Sequence, residues 1–242
     1  TGDKKLARAY LAERKENEDY EVVTQLPWWW NGGTYTRGAY ESLFYYDAKK
    51  KSLTRLTAAG LSVSDVQLTE DRKTVYYSLL DVSVPRPAYF GGADLYRMEL
   101  ASRREEAVAK SSPDFNIAAY ALGRSFLLLL AADGKYGMNT DVDFYTLNYE
   151  TLAVSPCAVY GESIGSSVGS DIRHGSGRTM KMDGDVLYFI STRFDSAGLY
   201  KLENGVVSPV TERGGSVDCF DRCGGKMLLC ALWDMRAQEL YD

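Results

Sequence analysis

Few residues of this chain have both the type and the spacing for bond-making chemistry. Gly161-Glu162-Ser163-Ile164-Gly165 matches the G-x-S-x-G pattern, in which a sharp strand-to-helix turn projects a nucleophilic serine. The single histidine, His174, lies in Ile172-Arg173-His174-Gly175-Ser176-Gly177, with Asp171 just before it. Ser163, His174 and Asp171 therefore contain the residue types of an acyl-transfer triad, which is defined by geometry rather than by composition. The frame for that geometry is missing, because Ser166-Ser167-Val168-Gly169-Ser170 has little helix-forming character. The sequence predicts an exposed loop at Ser163, a solvated loop histidine and no catalytic residue.

The cysteines and glycines point no further toward catalysis. Cys219 and Cys223 form one C-x-x-x-C, Cys157 and Cys230 lie apart, and neither a second close pair nor a histidine pair completes a zinc site. Buried, reduced cysteines and no metal are expected, which suits a cytoplasmic protein; a Cys219 to Cys230 cross-strand bond stays open on sequence alone. Gly175-Ser176-Gly177 and Gly214-Gly215 lack the spacing and trailing lysine of a phosphate loop, so no cofactor is expected. Trp28-Trp29-Trp30 offers aromatic faces for a ligand, but alternation along a strand turns at least one ring away from the others. Packing between sheets, with one ring at the surface, is the expectation there.

Composition narrows the partners. A formal charge of −5 over 242 residues supplies no basic field for phosphate backbones, so nucleic acid is not expected. The longest apolar run, Phe126 to Ala132, is far shorter than the roughly 20 residues of a membrane helix, so no membrane is expected either. The 18 Tyr and 22 Gly against only 6 Pro suit many short strands joined by tight turns.

The elements that must position these residues are copies of one hairpin. In Gly198 to Thr211 (GLYKLENGVVSPVT), strand-forming residues flank Asn204-Gly205, the dipeptide that tolerates positive φ at both turn positions. The same phrase recurs at Leu43-Phe44-Tyr45-Tyr46-Asp47, Leu95-Tyr96-Arg97-Met98-Glu99, Phe144-Tyr145-Thr146-Leu147-Asn148 and Leu240-Tyr241-Asp242. Spacings of roughly 40 to 55 residues are close to the length of a four-stranded propeller blade. The reading is an all-β chain: a β-propeller segment of about four to five four-stranded antiparallel blades, with a short N-terminal helix.

In chain order, residues 1–19 form the helix, which carries Leu6, Tyr10 and Leu11 on one stripe and is expected to pack on the β domain's flank or lead to another domain. Residues 20–242 form a partial propeller with units at about 20–60, 61–113, 114–161, 162–215 and 216–242. Calling the strands a to d from the inside outward, the first unit lacks a and the last lacks d, so a segment of a larger propeller is expected. The b strands, such as Phe126-Leu127-Leu128-Leu129-Leu130, Val186 to Ile190 and Met227 to Trp233, are apolar on both sides and must be covered on both, as stacked blades provide.

These units resemble a known family. Leu26-Pro27-Trp28-Trp29-Trp30-Asn31-Gly32 leading to Leu43 to Asp47 and to Leu53-Thr54-Arg55-Leu56-Thr57 is similar to the propeller of prolyl-oligopeptidase-family serine peptidases, closest to the acylaminoacyl-peptidase-like branch. Val63 to Asp71 and Ser167 to Arg173, with Met182-Asp183-Gly184-Asp185, resemble its inner-strand-and-turn pattern. The resemblance implies a noncatalytic propeller that caps an α/β-hydrolase domain of the same protein, absent from this chain, and gates access of small peptides. The alternative is a stand-alone propeller serving as a protein-interaction scaffold. This chain alone is expected to be inactive.

Loop lengths select the expected working face. The a–b and c–d turns are short, whereas the opposite face carries Asn31 to Tyr40, Asp81 to Ala93, Asp133 to Thr140 and Ser163 to Gly177. Long connections carry an ordering cost and are commonly kept for function. Tyr89, Phe90, Asp171, Arg173 and Arg178 are therefore the candidate binding residues, meeting the hydrolase domain or the incoming peptide.

Overall fold

A computed structural model describes residues 4–20, 40–81, 92–136, 140–166, 168 and 177–242. It opens with α1 (Lys4–Glu16), and every other element is extended apart from one 3-10 turn at Gly134–Tyr136. No residue of α1 is buried, and Leu6, Tyr10 and Leu11 stay more than half exposed. Of the two expected settings for this helix, burial of its stripe on the flank of the β domain is not seen, since a three-residue stripe is a narrow apolar face.

The strands form consecutive meanders. β1 (Phe44–Asp47) and β2 (Ser52–Arg55) make a two-stranded sheet. β3 (Leu61–Leu68), β4 (Thr74–Asp81), β5 (Asp94–Glu99) and β6 (Glu105–Ala109) pair in chain order, and β7 (Asn116–Leu122), β8 (Phe126–Ala132), β9 (Asp143–Asn148) and β10 (Val154–Ala158) repeat the pattern. The next blade contains β11 (Ser163–Ile164), β12 (Met180–Asp183), β13 (Val186–Arg193), β14 (Ser196–Glu203) and β15 (Val206–Pro209). β16 (Ser216–Cys223), β17 (Lys226–Leu232) and β18 (Glu239–Tyr241) follow, linked to it by one parallel bridge between Ala197 and Ser216. The fold is an all-β propeller of four-stranded antiparallel blades. Each aromatic of the repeated phrase, Phe44, Tyr96, Tyr145, Tyr200 and Tyr241, falls on a strand.

The core is a series of layers between blades. Alternate side chains of β8 face opposite neighbours: Leu127 and Leu129 pack with Tyr76 and Leu95 of the preceding blade. Leu128 and Leu130 pack with Leu187 and Phe189 of the following one. β4 divides its side chains in the same way, with Tyr76 in one layer and Val75, Tyr77 and Leu79 in another that takes in Leu43 and Leu56. The central b strands are consequently buried along most of their length, as their unbroken apolar runs require. β17 departs from that expectation. Ala231 is buried against the fourth blade's layer, while Leu228 is 47% exposed, so only one face of this strand is covered.

Candidate functional site

The inner strands and their turns enclose the site. A cavity of about 1030 Å³ is lined by β3 from Val66 to Leu68, β7 from Tyr120 to Leu122 and β12 with Arg178, and it opens among the turns that join a strands to b strands. Three blades thus contribute one wall each. Its polar lining is mixed in sign, with Glu70, Asp71 and Asp183 against Arg124, Arg178 and Lys181.

Much of this charge is already ordered by the fifth blade. Lys181 Nζ donates to Asp221 Oδ1 at 2.7 Å and to the Arg222 carbonyl at 2.5 Å, and Arg178 Nη1 stands 3.6 Å from the same Asp221 oxygen. Arg222 Nε donates to Asp183 Oδ2 at 2.5 Å, and its guanidinium lies 4.7 Å from the Tyr188 ring centroid. The Lys181 ammonium holds the Asp221 carboxyl below the usual carboxylate range, with the Arg222 amide adding to it. Across the cavity mouth, burial pushes the Asp185 carboxyl up, but the Ser125 hydroxyl and amide more than offset this and hold it low.

An interruption of the fourth blade's inner strand places Arg178. β11 and β12 both pair with the same edge of β13, Ser163 opposite Thr192 and Met180 opposite Phe189. At the break, the Ile190 carbonyl accepts from the Gly165 N–H at 2.7 Å, while the Ile190 N–H donates to the Thr179 carbonyl at 2.9 Å. Gly165 and Thr179 thus bond the same residue of β13, on either side of the break. The expected loop from Ser163 to Gly177 is corrected accordingly: its first two residues are strand. Arg178 sits where the strand resumes, and its carbonyl accepts from the Phe220 N–H at 3.0 Å.

Ser163 is exposed as expected but is fixed in extended backbone rather than a loop, its carbonyl accepting from Ser191 Oγ at 2.8 Å. Extended pairing is not the strained turn a G-x-S-x-G nucleophile needs. Of the five expected binding residues, Arg178 reaches the cavity wall. Tyr89, Phe90, Asp171 and Arg173 lie outside the described residues, as do His174 and Trp28-Trp29-Trp30. Sequence reasoning passed over Lys181, Arg124 and Gln67. Lys181 carried a usable signal, a charge between two methionines in an inner strand, because such a residue must reach either the axis or a neighbouring blade.

The fold is shared with known structures. The chain is similar to Pyrococcus horikoshii acylaminoacyl peptidase at 18% identity and a TM-score of 0.63, over 94% of this chain and 33% of that one. It is similar to TolB from Acinetobacter baumannii at 16% identity and a TM-score of 0.51, over 82% of this chain and 47% of that one. The β-propeller domain of the trilobed protease from Pyrococcus furiosus also aligns, at 16% identity and a TM-score of 0.47, over 81% of this chain and 68% of that one. At these identities the likeness is one of fold. The chain spans about a third of the length of the acylaminoacyl peptidase and under half of TolB. No protein-family model matches the chain, and no curated protein matches it.

Proposed function

We propose that this chain is the noncatalytic propeller of a prolyl-oligopeptidase-family serine peptidase of the acylaminoacyl-peptidase-like branch, capping a hydrolase domain and gating access of small peptides to it. The observation that carries the reading is the cavity: three inner strands line a space of about 1030 Å³ whose wall offers both charge signs and the exposed apolar side chains of Val66 and Leu68. A short peptide presents an ammonium, a carboxylate and apolar side chains, and such a wall has a partner for each. The likeness in fold to an acylaminoacyl peptidase over 94% of this chain supports the same reading. Tyr89, Phe90, Asp171 and Arg173 are assigned to the face that meets the hydrolase or the incoming peptide, with Arg178 on the wall.

The test is to express the reading frame that surrounds this chain and to assay it on acyl peptides of increasing length. The reading expects hydrolysis that falls with length and that shifts toward longer substrates when Lys181→Ala and Arg178→Ala loosen the wall. A frame encoding no hydrolase, or turnover indifferent to both length and these substitutions, refutes it.

A further inference from the structure

The first two strands of the fifth blade hold a pair of thiols that do not line the cavity. Cys219 and Cys230 are direct partners across the antiparallel pair β16 and β17. Opposed residues in such a pair have Cα atoms about 4.5 to 5.5 Å apart, within the range of about 4.4 to 6.8 Å that a disulfide spans. The register shifts between Val217 and Cys219, a bulge that sharpens the local twist just ahead of the pair. Both cysteines are free and only partly covered, so a small reagent reaches them. Gly177 closes one side: a Cβ there would lie 3.1 Å from Cys219 Cβ and 3.1 Å from Sγ. A side chain at this position would press on the Cys219 thiol, which would have to give by a few tenths of an ångström.

The remaining cysteines provide the contrast. Cys223 is exposed at the hairpin end opposite Lys226, and Cys157 packs in the layer between the third and fourth blades. Neither has a thiol opposite it in register among the described residues.

We propose that Cys219 and Cys230 form a thiol–disulfide exchange site, which reacts with a low-molecular-weight disulfide and closes into a reversible disulfide within the blade. In the first step one thiolate attacks a sulfur of the disulfide RSSR, forming a protein–SSR bond and releasing RS⁻. In the second, the opposing thiolate attacks the protein sulfur of that bond, forming the Cys219–Cys230 disulfide and releasing a second RS⁻. Two protein thiols are oxidised, one RSSR is reduced to two RSH, and the thiol protons pass to solvent or to the released RS⁻. Burial holds the Cys219 thiol above its ordinary value, with Cys230 and Asp218 adding to this, so proximity rather than an activated thiolate drives the closure.

The test exposes folded protein carrying Cys157→Ser and Cys223→Ser to glutathione disulfide, then alkylates and weighs it, with circular dichroism confirming that the blades stay formed. The site predicts a chain lighter by two hydrogens, free of adduct, with both thiols lost to alkylation and both restored by dithiothreitol. In this background Cys219→Ser should instead trap one glutathione on Cys230. Thiols that both stay alkylatable, or that each retain a stable glutathione, overturn the proposal. The chain with only its Cys223 left should hold a mixed disulfide without closing.

Discussion

The Gln67 side-chain amide donates to the Tyr120 carbonyl oxygen at 2.9 Å, and the Tyr120 hydroxyl donates back to the carbonyl of Asp65, two residues from Gln67. One inner strand therefore clasps the next in both directions. A bulge makes this possible, because the register of β3 shifts between Ser64 and Gln67 and Asp65 adopts φ 47°, which frees its carbonyl from the ladder.

Breaking the clasp should loosen the second blade from the third. Tyr120→Phe removes this bond, and because Asp65 is exposed and water can reach its carbonyl, the cost is expected to be about 1 kcal/mol. Gln67→Ala should cost about 1 kcal/mol, and the double variant less than the sum, since the two bonds share one seam. Urea unfolding of the four proteins measures this.

Between the third and fourth blades, Phe189 is fully buried, with its ring centroid 5.3 Å from that of Phe144 and 5.4 Å from that of Tyr160. Phe189→Ala is expected to cost about 3 to 5 kcal/mol. Phe194→Ala, five residues on but 88% exposed, should stay within about 0.5 kcal/mol. Comparable losses at the two positions would contradict the layered core.

Such layers were legible in the sequence because a strand covered on both sides has to be apolar throughout, and Phe126 to Ala132 has no other use for its leucines. The hairpin phrase was legible for the same local reason: Asn204 does take positive φ, at 52°. The broken inner strand was not. Ser163–Ile164 and Met180–Asp183 are joined through β13, and no local pattern announces that two short segments will share one edge. The pairing of the site's charges was hidden likewise, because Lys181 and Asp221 meet only after two blades pack, so the signal at Lys181 names no partner.

Backbone geometry gives a paired prediction. Gly215 has φ +66°, and a Cβ there would lie 2.2 Å from the Leu232 carbonyl oxygen. Gly215→Ala therefore combines left-handed strain with a backbone clash and should cost well above about 2 kcal/mol. Gly184, at φ +63° with nothing within 4 Å of its added Cβ, should lose only the conformational part, about 1 kcal/mol. Thermal melts of both variants separate the two contributions.

Stability should have two pH limits. The lowered carboxyls of Asp185 and Asp221 contribute stability above their unfolded value near 3.9, and this is lost as pH falls through their lower folded values. Burial raises the Tyr77, Tyr120 and Tyr149 hydroxyls, with the Glu105 carboxylate adding to the shift at Tyr77. Their contribution is complete below the unfolded value near 10 and declines as pH rises above it, because the unfolded chain ionises first. Urea midpoints should stay level between these limits, and Tyr149→Phe should flatten the alkaline fall while leaving the acid one unchanged.

The most direct measurement is kcat/KM for acyl-peptide hydrolysis by the protein encoded by the surrounding reading frame, with substitutions on each face of the propeller. The proposed function predicts that Phe90→Ala, Arg173→Ala and Arg178→Ala change kcat/KM or the dependence on peptide length, whereas Lys50→Ala and Asn204→Gly, in hairpin turns that do not line the cavity, leave both unchanged. Equal effects from the two sets, or no peptide hydrolysis at all, would contradict it.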